Sequence, residues 1–297
     1  MRGVGGSTAD SETSASELAG PVDEHCRYVP AEPLRRYVAW YTGYRQRGLP
    51  PATHRGLPSP YLTLIFTLHE PLRVVRHADP RQAPGSYRAL VGGLHTSAAV
   101  VEHGGAQSGI QLRLSPLGAR GLLGVPAGEL AGLDLHATEL LGRLGDDLQE
   151  QLRAAGSWGA RFRLLDERLG RVLDLDRVPP PEVRRAWHLL CASGGTARIA
   201  DVARAVGWSE RHLAARFRTE VGLTPKVAAR VVRFDRARRM FPRSGGATVA
   251  ATCGYADQSH LVRDFVDFTG LSPSAWLAAE VGNLQAPDDA RGRHSAS

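Results

Sequence analysis

The sequence predicts an α+β chain of two parts, a strand-rich N-terminal segment followed by an all-helical C-terminal one. Three observations predict it. Short apolar runs punctuated by proline and by Gly-Gly or Pro-Gly fill residues 27–115. From Pro116 the apolar period lengthens to a helical one. Beyond Pro179-Pro180-Pro181 the chain repeats its own pattern at a spacing of 47–48 residues.

Residues 1–26, opening MRGVGGSTADSETSASELAG, are too polar to bury and read as a disordered leader. They hold no apolar core of the length a secretory signal needs. The tail over 283–297 reads the same way. The best strand is Tyr61–Leu68, bounded by Pro58, Pro60 and Pro71. Leu72–Val75, Arg88–Val91, Ser97–Val101 and Gly109–Leu114 follow, and several short strands with such turns suggest a small β-barrel or a sandwich. Leu34–Tyr41 fits an opening helix or a strand equally. Alternation along the best strand puts Leu62, Leu64, Phe66 and Leu68 on one face, expected to be core. Tyr61, Thr63, Ile65 and Thr67 share the other, which suits a pocket wall or a solvent-facing surface.

Leu140, Leu141, Leu144, Leu148 and Leu152 then recur at helical spacing, with Gly156 as a stop. Phe162, Leu165, Leu169, Val172 and Leu173 mark a second amphipathic helix. So regular a leucine stripe over Thr138–Ala155 is expected to form a homodimer interface. The proline run, unfavourable to helix before it, sets the boundary between a first domain over 27–178 and a second over 182–282.

The repeat is the most informative feature. Its first unit runs Ile199-Ala-Asp-Val-Ala203, Gly207-Trp208, Ser209-Glu-Arg-His-Leu213, Phe217 and Gly222-Leu-Thr-Pro225. Its second runs Val249-Ala250, Gly254-Tyr255, Ala256-Asp-Gln-Ser-His-Leu261, Phe265 and Gly270-Leu-Ser-Pro273. A small alanine lets two helices cross closely, as in a helix-turn-helix. Glycine after the first helix takes the left-handed cap that a short turn requires. Ser209 is a natural cap for the second helix. Leucine and phenylalanine four apart face the core and leave the opposite, polar side free to enter a major groove.

Charge agrees with that reading. Residues 182–282 hold 15 Lys and Arg against nine Asp and Glu, whereas residues 1–181 hold 20 against 19. Nearly the whole net charge of +7 therefore sits in the helical part, where phosphate would be bound. Other classes lack support. Cys26, Cys191 and Cys253 have neither zinc-knuckle nor disulfide spacing. His54, His69, His77, His95 and His103 include no His-x-His pair on one strand face, so no metal is expected. No nucleophile elbow, phosphate loop or catalytic Cys/His pairing occurs, so the chain is read as no enzyme, with no catalytic residues and no cofactor. No apolar run approaches the roughly 20 residues of a membrane span, which leaves the cytoplasm as the expected compartment.

From about Ala186 to Leu277 the chain resembles the DNA-binding domain of the AraC/XylS family of bacterial transcription regulators. The most specific stretch is Gly254-Tyr-Ala-Asp-Gln-Ser-His-Leu-Val-Arg-Asp-Phe265 with Thr269-Gly-Leu-Ser-Pro-Ser-Ala275. Pro225-Lys226, Arg230, Arg233, Ala237 and Arg238 match its linker helix. The resemblance implies seven helices, with two helix-turn-helix units joined by that rigid linker. It implies a cupin-like small β-barrel with packed helices for residues 27–178. Three positions depart from the family pattern: Ser244-Gly-Gly246 replaces an apolar entry to the second unit, Leu277 a common arginine, and Ala215 a frequent base-reading side chain.

Double-stranded DNA is the implied partner, read in two successive major grooves. Ser209, Glu210, Arg211 and Arg216 of the first unit, with Asp257, Gln258, Ser259 and Arg263 of the second, are the candidate DNA contacts. Arginine suits guanine, glutamine adenine, and a carboxylate the cytosine amino group. Arg216, Arg218, Arg230 and Arg233 suit phosphate or structural contacts, and Arg233 and Arg238 also have Asp235 within reach. RNA polymerase is a further candidate partner. The length and neutral charge of residues 27–178 point to a sensor for a small effector. The alternative is a regulator of the same type without a small ligand, controlled by a protein partner or by expression level.

Overall fold

The computed structural model describes residues 21–280, so the leader expected over 1–26 falls outside it up to residue 20, as does the tail expected over 283–297. The N-terminal half contains β1 (Val22–Tyr28), β2 (Val38–Arg47), β3 (Ala52–Gly56), β4 (Leu62–Thr67) and β5 (Leu72–Arg76). These are followed by β6 (Gly85–Tyr87), β7 (Ala89–Gly92), β8 (Ala99–His103), β9 (Gln107–Leu114), α1 (Ala119–Leu123) and β10 (Asp134–His136). It closes on α2 (Ala137–Leu141), α3 (Arg143–Ala154) and α4 (Trp158–Val172).

β1 starts five residues inside the segment expected to be a leader. Its polar sequence hides an edge strand, antiparallel to β2 with Val22 opposite Arg47 and Tyr28 opposite Tyr41. Side-chain contacts help to hold it: Tyr28 stacks on Phe162 at 5.0 Å and donates to Asp166 at 3.0 Å, and the Trp158 indole N–H donates to Glu24 at 2.6 Å. The ambiguous Leu34–Tyr41 resolves into a 3-10 turn over Leu34–Arg36 and the start of β2.

The strands form two antiparallel sheets, one ordered β1-β2-β9-β4-β7-β10 and the other β3-β8-β5-β6. The expected cupin-like barrel is therefore not closed: among the described residues no ladder joins the two sheets. The reason lies in where the apolar faces go. Leu62, Leu64 and Phe66 of β4, with Ile110, Leu112 and Leu114 of β9, share one core with Leu148 and Leu152 of α3 and Phe162 and Leu165 of α4. Each such side chain contributes about 1.5–3 kcal/mol on burial. The six-stranded sheet thus commits its apolar face to the helices. Between the sheets lies only a small cluster, Val74, Tyr87, Leu90, Ala99 and Val101, beside polar Thr63, Gln111 and Arg113. Leu148 and Leu152 of the leucine stripe are fully buried inside this chain, whereas Leu140, Leu141 and Leu144 are half-buried.

The C-terminal half is helical: α5 (Pro181–Ala192), α6 (Ile199–Ala205), α7 (Glu210–Val221), α8 (Pro225–Met240), α9 (Gly246–Cys253), α10 (Gln258–Thr269) and α11 (Pro273–Glu280). α5 opens on the last residue of the proline run, where a missing N–H is harmless. Phe234 of α8 is the hub, packed 5.0 Å from Phe265 and 4.9 Å from Phe268. The two halves touch directly. Arg120 of α1 donates twice to Glu220 of α7, at 2.7 and 2.9 Å. Gly128, in a 3-10 turn over Ala127–Leu130, lies so close to the end of α7 that an added Cβ would sit 2.2 Å from the Thr219 carbonyl oxygen.

Candidate DNA interface

The two helical repeats build the same object twice. In the first, Gly207 (φ +76°) follows the end of α6 by two residues and the Trp208 N–H donates back to the Ala203 carbonyl at 3.0 Å. In the second, α9 ends at Gly254 (φ +74°) and the Tyr255 N–H donates to the Ala250 carbonyl at 2.9 Å. Ser209 Oγ then accepts the His212 N–H at 3.2 Å, and Asp257 Oδ1 accepts the His260 N–H at 2.7 Å. These caps satisfy donors that a helix start leaves open. The repeat extends to an aromatic contact at each helix entry. Trp208 meets the His212 ring edge-on at 4.6 Å, and Tyr255 meets His260 in the same way at 5.1 Å. Each pair braces the entry to its helix.

α7 and α10 are the second helices of the two units. Leu213 and Phe217, and their counterparts Leu261 and Phe265, are fully buried on one side. All eight candidate contacts, Ser209, Glu210, Arg211, Arg216, Asp257, Gln258, Ser259 and Arg263, are solvent-exposed. Their roles divide. The Ser209 hydroxyl and one Asp257 oxygen are already used as caps. Arg211, Arg216 and Arg263 make no ion pair among the described residues, leaving their guanidinium groups to solvent. Gln258 leans back toward α9: a Cβ on Gly246 would lie 2.8 Å from its Nε2. The glycine that departs from the family pattern therefore makes room for that side chain, and α9 forms over eight residues regardless.

α8 holds the two units apart and fixes their relation. Its 16 residues span roughly 24 Å at 1.5 Å each. Four of its arginines, Arg230, Arg233, Arg238 and Arg239, are engaged in salt bridges, and Arg236 is exposed. Arg230 donates to Asp264 at 2.7 Å and to Asp267 at 2.8 Å, both on α10. Arg233 lies 3.7 Å from Asp264 and over the Tyr255 ring at 4.8 Å. Arg238 binds the buried Asp235 at 2.6 Å, joined there by Arg239. Of the two roles open to Arg230 and Arg233, the structural one is realised. Asp264 and Asp267, absent from the sequence reading, are the residues that clamp α10 to the linker.

Elsewhere, no three or more His, Cys, Asp or Glu side chains come together in a metal-binding group among the described residues. No described helix is long and apolar enough to cross a membrane.

Comparison with known proteins agrees with this geometry. A family described as "Helix-turn-helix domain" matches residues 183–279, and one described as "Domain of unknown function (DUF6597)" matches residues 26–136. The HTH-type transcriptional regulator Rv1931c of Mycobacterium tuberculosis is 32% identical over 89 residues, 29% of this chain and 34% of that protein. The matched part thus spans about a third of that relative's length. Among solved structures, ToxT of Vibrio cholerae O395 is 11% identical with a TM-score of 0.48, covering 82% of this chain and 98% of its own. A transcriptional regulator with an AraC-type DNA-binding domain from Chromobacterium violaceum is 23% identical with a TM-score of 0.31, covering 33% and 90%. With two capped helix-turn-helix units in tandem and a family match spanning both, residues 183–279 are a helix-turn-helix domain of the AraC type.

Proposed function

We propose that the whole chain is a sequence-specific transcriptional regulator of the cytoplasm that lays α7 and α10 into two successive major grooves. Its N-terminal half senses a small effector and alters how those helices are presented. The observation that carries the reading is the pair of exposed polar faces on α7 and α10, each opposite a buried leucine–phenylalanine pair and both tied to α8. With its flanking turns, α8 is long enough to set two helices about one DNA turn, roughly 34 Å, apart. Arg211 and Arg263 would read base edges, Arg216 a phosphate, and Ser209 and Asp257 would chiefly hold the helix starts in register. On this reading the chain carries out no catalysis.

The effector arm is supported by a cavity between the two sheets, partly lined by residues of the reading domain. Homodimerisation and contact with RNA polymerase belong to the same proposal. Sedimentation of the full chain with and without bound DNA decides the first, and polymerase recruitment on a bound promoter the second. The central test is selection of binding sites from a randomised DNA pool, followed by footprinting. The expected outcome is two clusters of preferred bases about one helical turn apart on one face of the duplex. A single cluster, or binding indifferent to sequence, would overturn the two-groove arrangement.

A further inference from the structure

Charge is unevenly divided within the helical half. Residues 182–244, the first helix-turn-helix unit and the linker, hold 14 Lys and Arg against five Asp and Glu. Residues 245–280, the second unit, hold one against four. The first part is thus net +9 and the second net −3. Duplex DNA carries one negative charge per ~1.7 Å, so basic residues supply affinity for it whatever its sequence.

Little of that attraction is left to the second unit. Arg263 is its single basic residue. The linker arginines that reach it are spent internally: Arg230 bridges Asp264 and Asp267, and Arg233 lies 3.7 Å from Asp264. Two guanidinium groups there meet two carboxylates and cancel. What remains at α10 is exposed Arg263 against exposed Asp257. α7 differs. Arg211, Arg216 and Arg218 are exposed beside Glu210, while its other acid, Glu220, is buried and bound by Arg120.

The outward faces differ in chemistry as well. Opposite the buried Leu261, Phe265 and Phe268, the exposed residues Ser259, Arg263 and Val266 fall at i, i+4 and i+7, one stripe along α10. The same positions of α7 are Arg211, Ala215 and Arg218. Val266 therefore stands where the first unit has an arginine. It is 44% exposed, the one large apolar side chain so open among the described residues of the helical half. Its methyl groups can hydrogen-bond neither a base nor a phosphate, but they complement the C5-methyl that thymine displays in the major groove.

We propose that the second unit reads its half of the DNA site by base contact with little phosphate anchoring, and that Val266 is a specificity residue packed against a thymine methyl. The first unit and the linker hold the duplex, and the second unit selects among sequences already held. The proposal rests on the two-groove reading above and adds to it a division of roles and one base.

The test uses the full chain and a duplex carrying the site selected from a randomised pool. The base pairs relaxed by Arg211→Ala and by Arg263→Ala assign the two halves to α7 and α10. The logarithm of the binding constant falls with that of salt concentration by about 0.9 for each phosphate neutralised, so the slope counts phosphate contacts. Shortening the duplex to remove the α10 half should lower the slope by about one or less. Removing the α7 half should lower it roughly twice as much or more. Equal losses would overturn the division of roles. Thymines of the α10 half are then replaced one at a time by deoxyuridine, which deletes only the methyl. One replacement should weaken binding about four-fold, the effect of one methyl-sized group. Val266→Ala, checked for an unchanged melting temperature, should weaken binding similarly and make the chain indifferent to that replacement. A Val266→Ala chain that binds as the parent does, or that still responds to every replacement as the parent does, overturns the thymine assignment. A pool yielding a single cluster of preferred bases defeats the two-groove reading and this proposal with it. Two clusters with no thymine coupled to Val266 leave that reading standing and defeat the assignment alone.

Discussion

At the scale of single residues, the arginines of the reading domain fall into two groups that a count of charge cannot separate. Arg211 and Arg263 are exposed and make no ion pair among the described residues, whereas Arg230 bridges Asp264 and Asp267. Arg211→Ala or Arg263→Ala should therefore cost about 1–3 kcal/mol of DNA binding and relax preference at particular base pairs. Uniform weakening over randomised sites would reduce both to phosphate contacts. Arg230→Ala should leave base preference alone and lower folding stability by about 1–3 kcal/mol, because the nearly buried Asp264 loses its best partner. Urea unfolding measures that change. A second residue-scale prediction concerns acid. Burial, with His103 beside it, pushes the His54 imidazole down from 6.5 to about 4. Below pH 6.5 the unfolded chain takes up a proton that the folded chain refuses, so this contribution is whole above 6.5 and lost progressively toward pH 4. Its limit is about 3 kcal/mol. His54→Gln should flatten the fall in melting temperature between pH 6.5 and 4.5, and an unchanged slope would show that other groups dominate it.

At the scale of elements, legibility followed the range of the interactions. The second helix-turn-helix unit was readable because its determinants are local: Gly254, Asp257, Leu261 and Phe265 lie within one short stretch, each with its own mechanical reason. The strand Tyr61–Leu68 and its apolar alternation were readable for the same cause, and Leu62, Leu64, Phe66 and Leu68 are all buried. β1 was not, since Asp23, Glu24, His25 and Arg27 give it no apolar alternation and only pairing with β2 makes it a strand. The closed barrel failed because a period of two says which residues share a face, not which layer that face meets. All eight candidate contacts are surface residues, but two of them prove to be caps, and the clamp from α8 to Asp264 and Asp267 is invisible without the third dimension. The turn glycines give a graded test of this local logic. Gly207→Ala meets no atom within 4 Å and should cost only the left-handed backbone penalty, about 1–2 kcal/mol. Gly254→Ala carries the same penalty and also places Cβ 2.5 Å from Thr196 Cγ2, so it should be the more damaging of the two. Equal losses in thermal unfolding would mean that Thr196 moves aside freely.

At the scale of the whole molecule, the N-terminal half and the helical half are joined by contacts between residues a hundred or more apart in sequence. Two of the polar contacts between described residues that connect them are well separated along the reading domain. One is the mouth of the cavity, where Arg55 meets Glu280 across 225 residues of sequence. The other is the pair of hydrogen bonds from Arg120 to Glu220, close to the end of α7, with Gly128 closely packed beside it. Glu220 is almost wholly buried, and a buried carboxylate deprived of its partner is strongly destabilising locally. The exposed segment between α4 and α5 is held more lightly: Arg177 pairs with Asp174 at 3.3 Å and donates to the Gly124 carbonyl at 3.3 Å. If the two contacts keep the halves together as a latch, Arg120→Ala should open that segment more often while both domains stay folded. Because cleavage of an opened state follows its population, limited trypsin digestion after Arg177 should then accelerate about ten-fold, yielding two stable fragments. Glu220→Gln should act in the same direction more weakly, since the glutamine can keep one of the two hydrogen bonds. A cleavage rate unchanged in Arg120→Ala would mean that the apolar packing around Ala127 and Gly128 suffices to hold α7, and that the ion pair is no part of the latch.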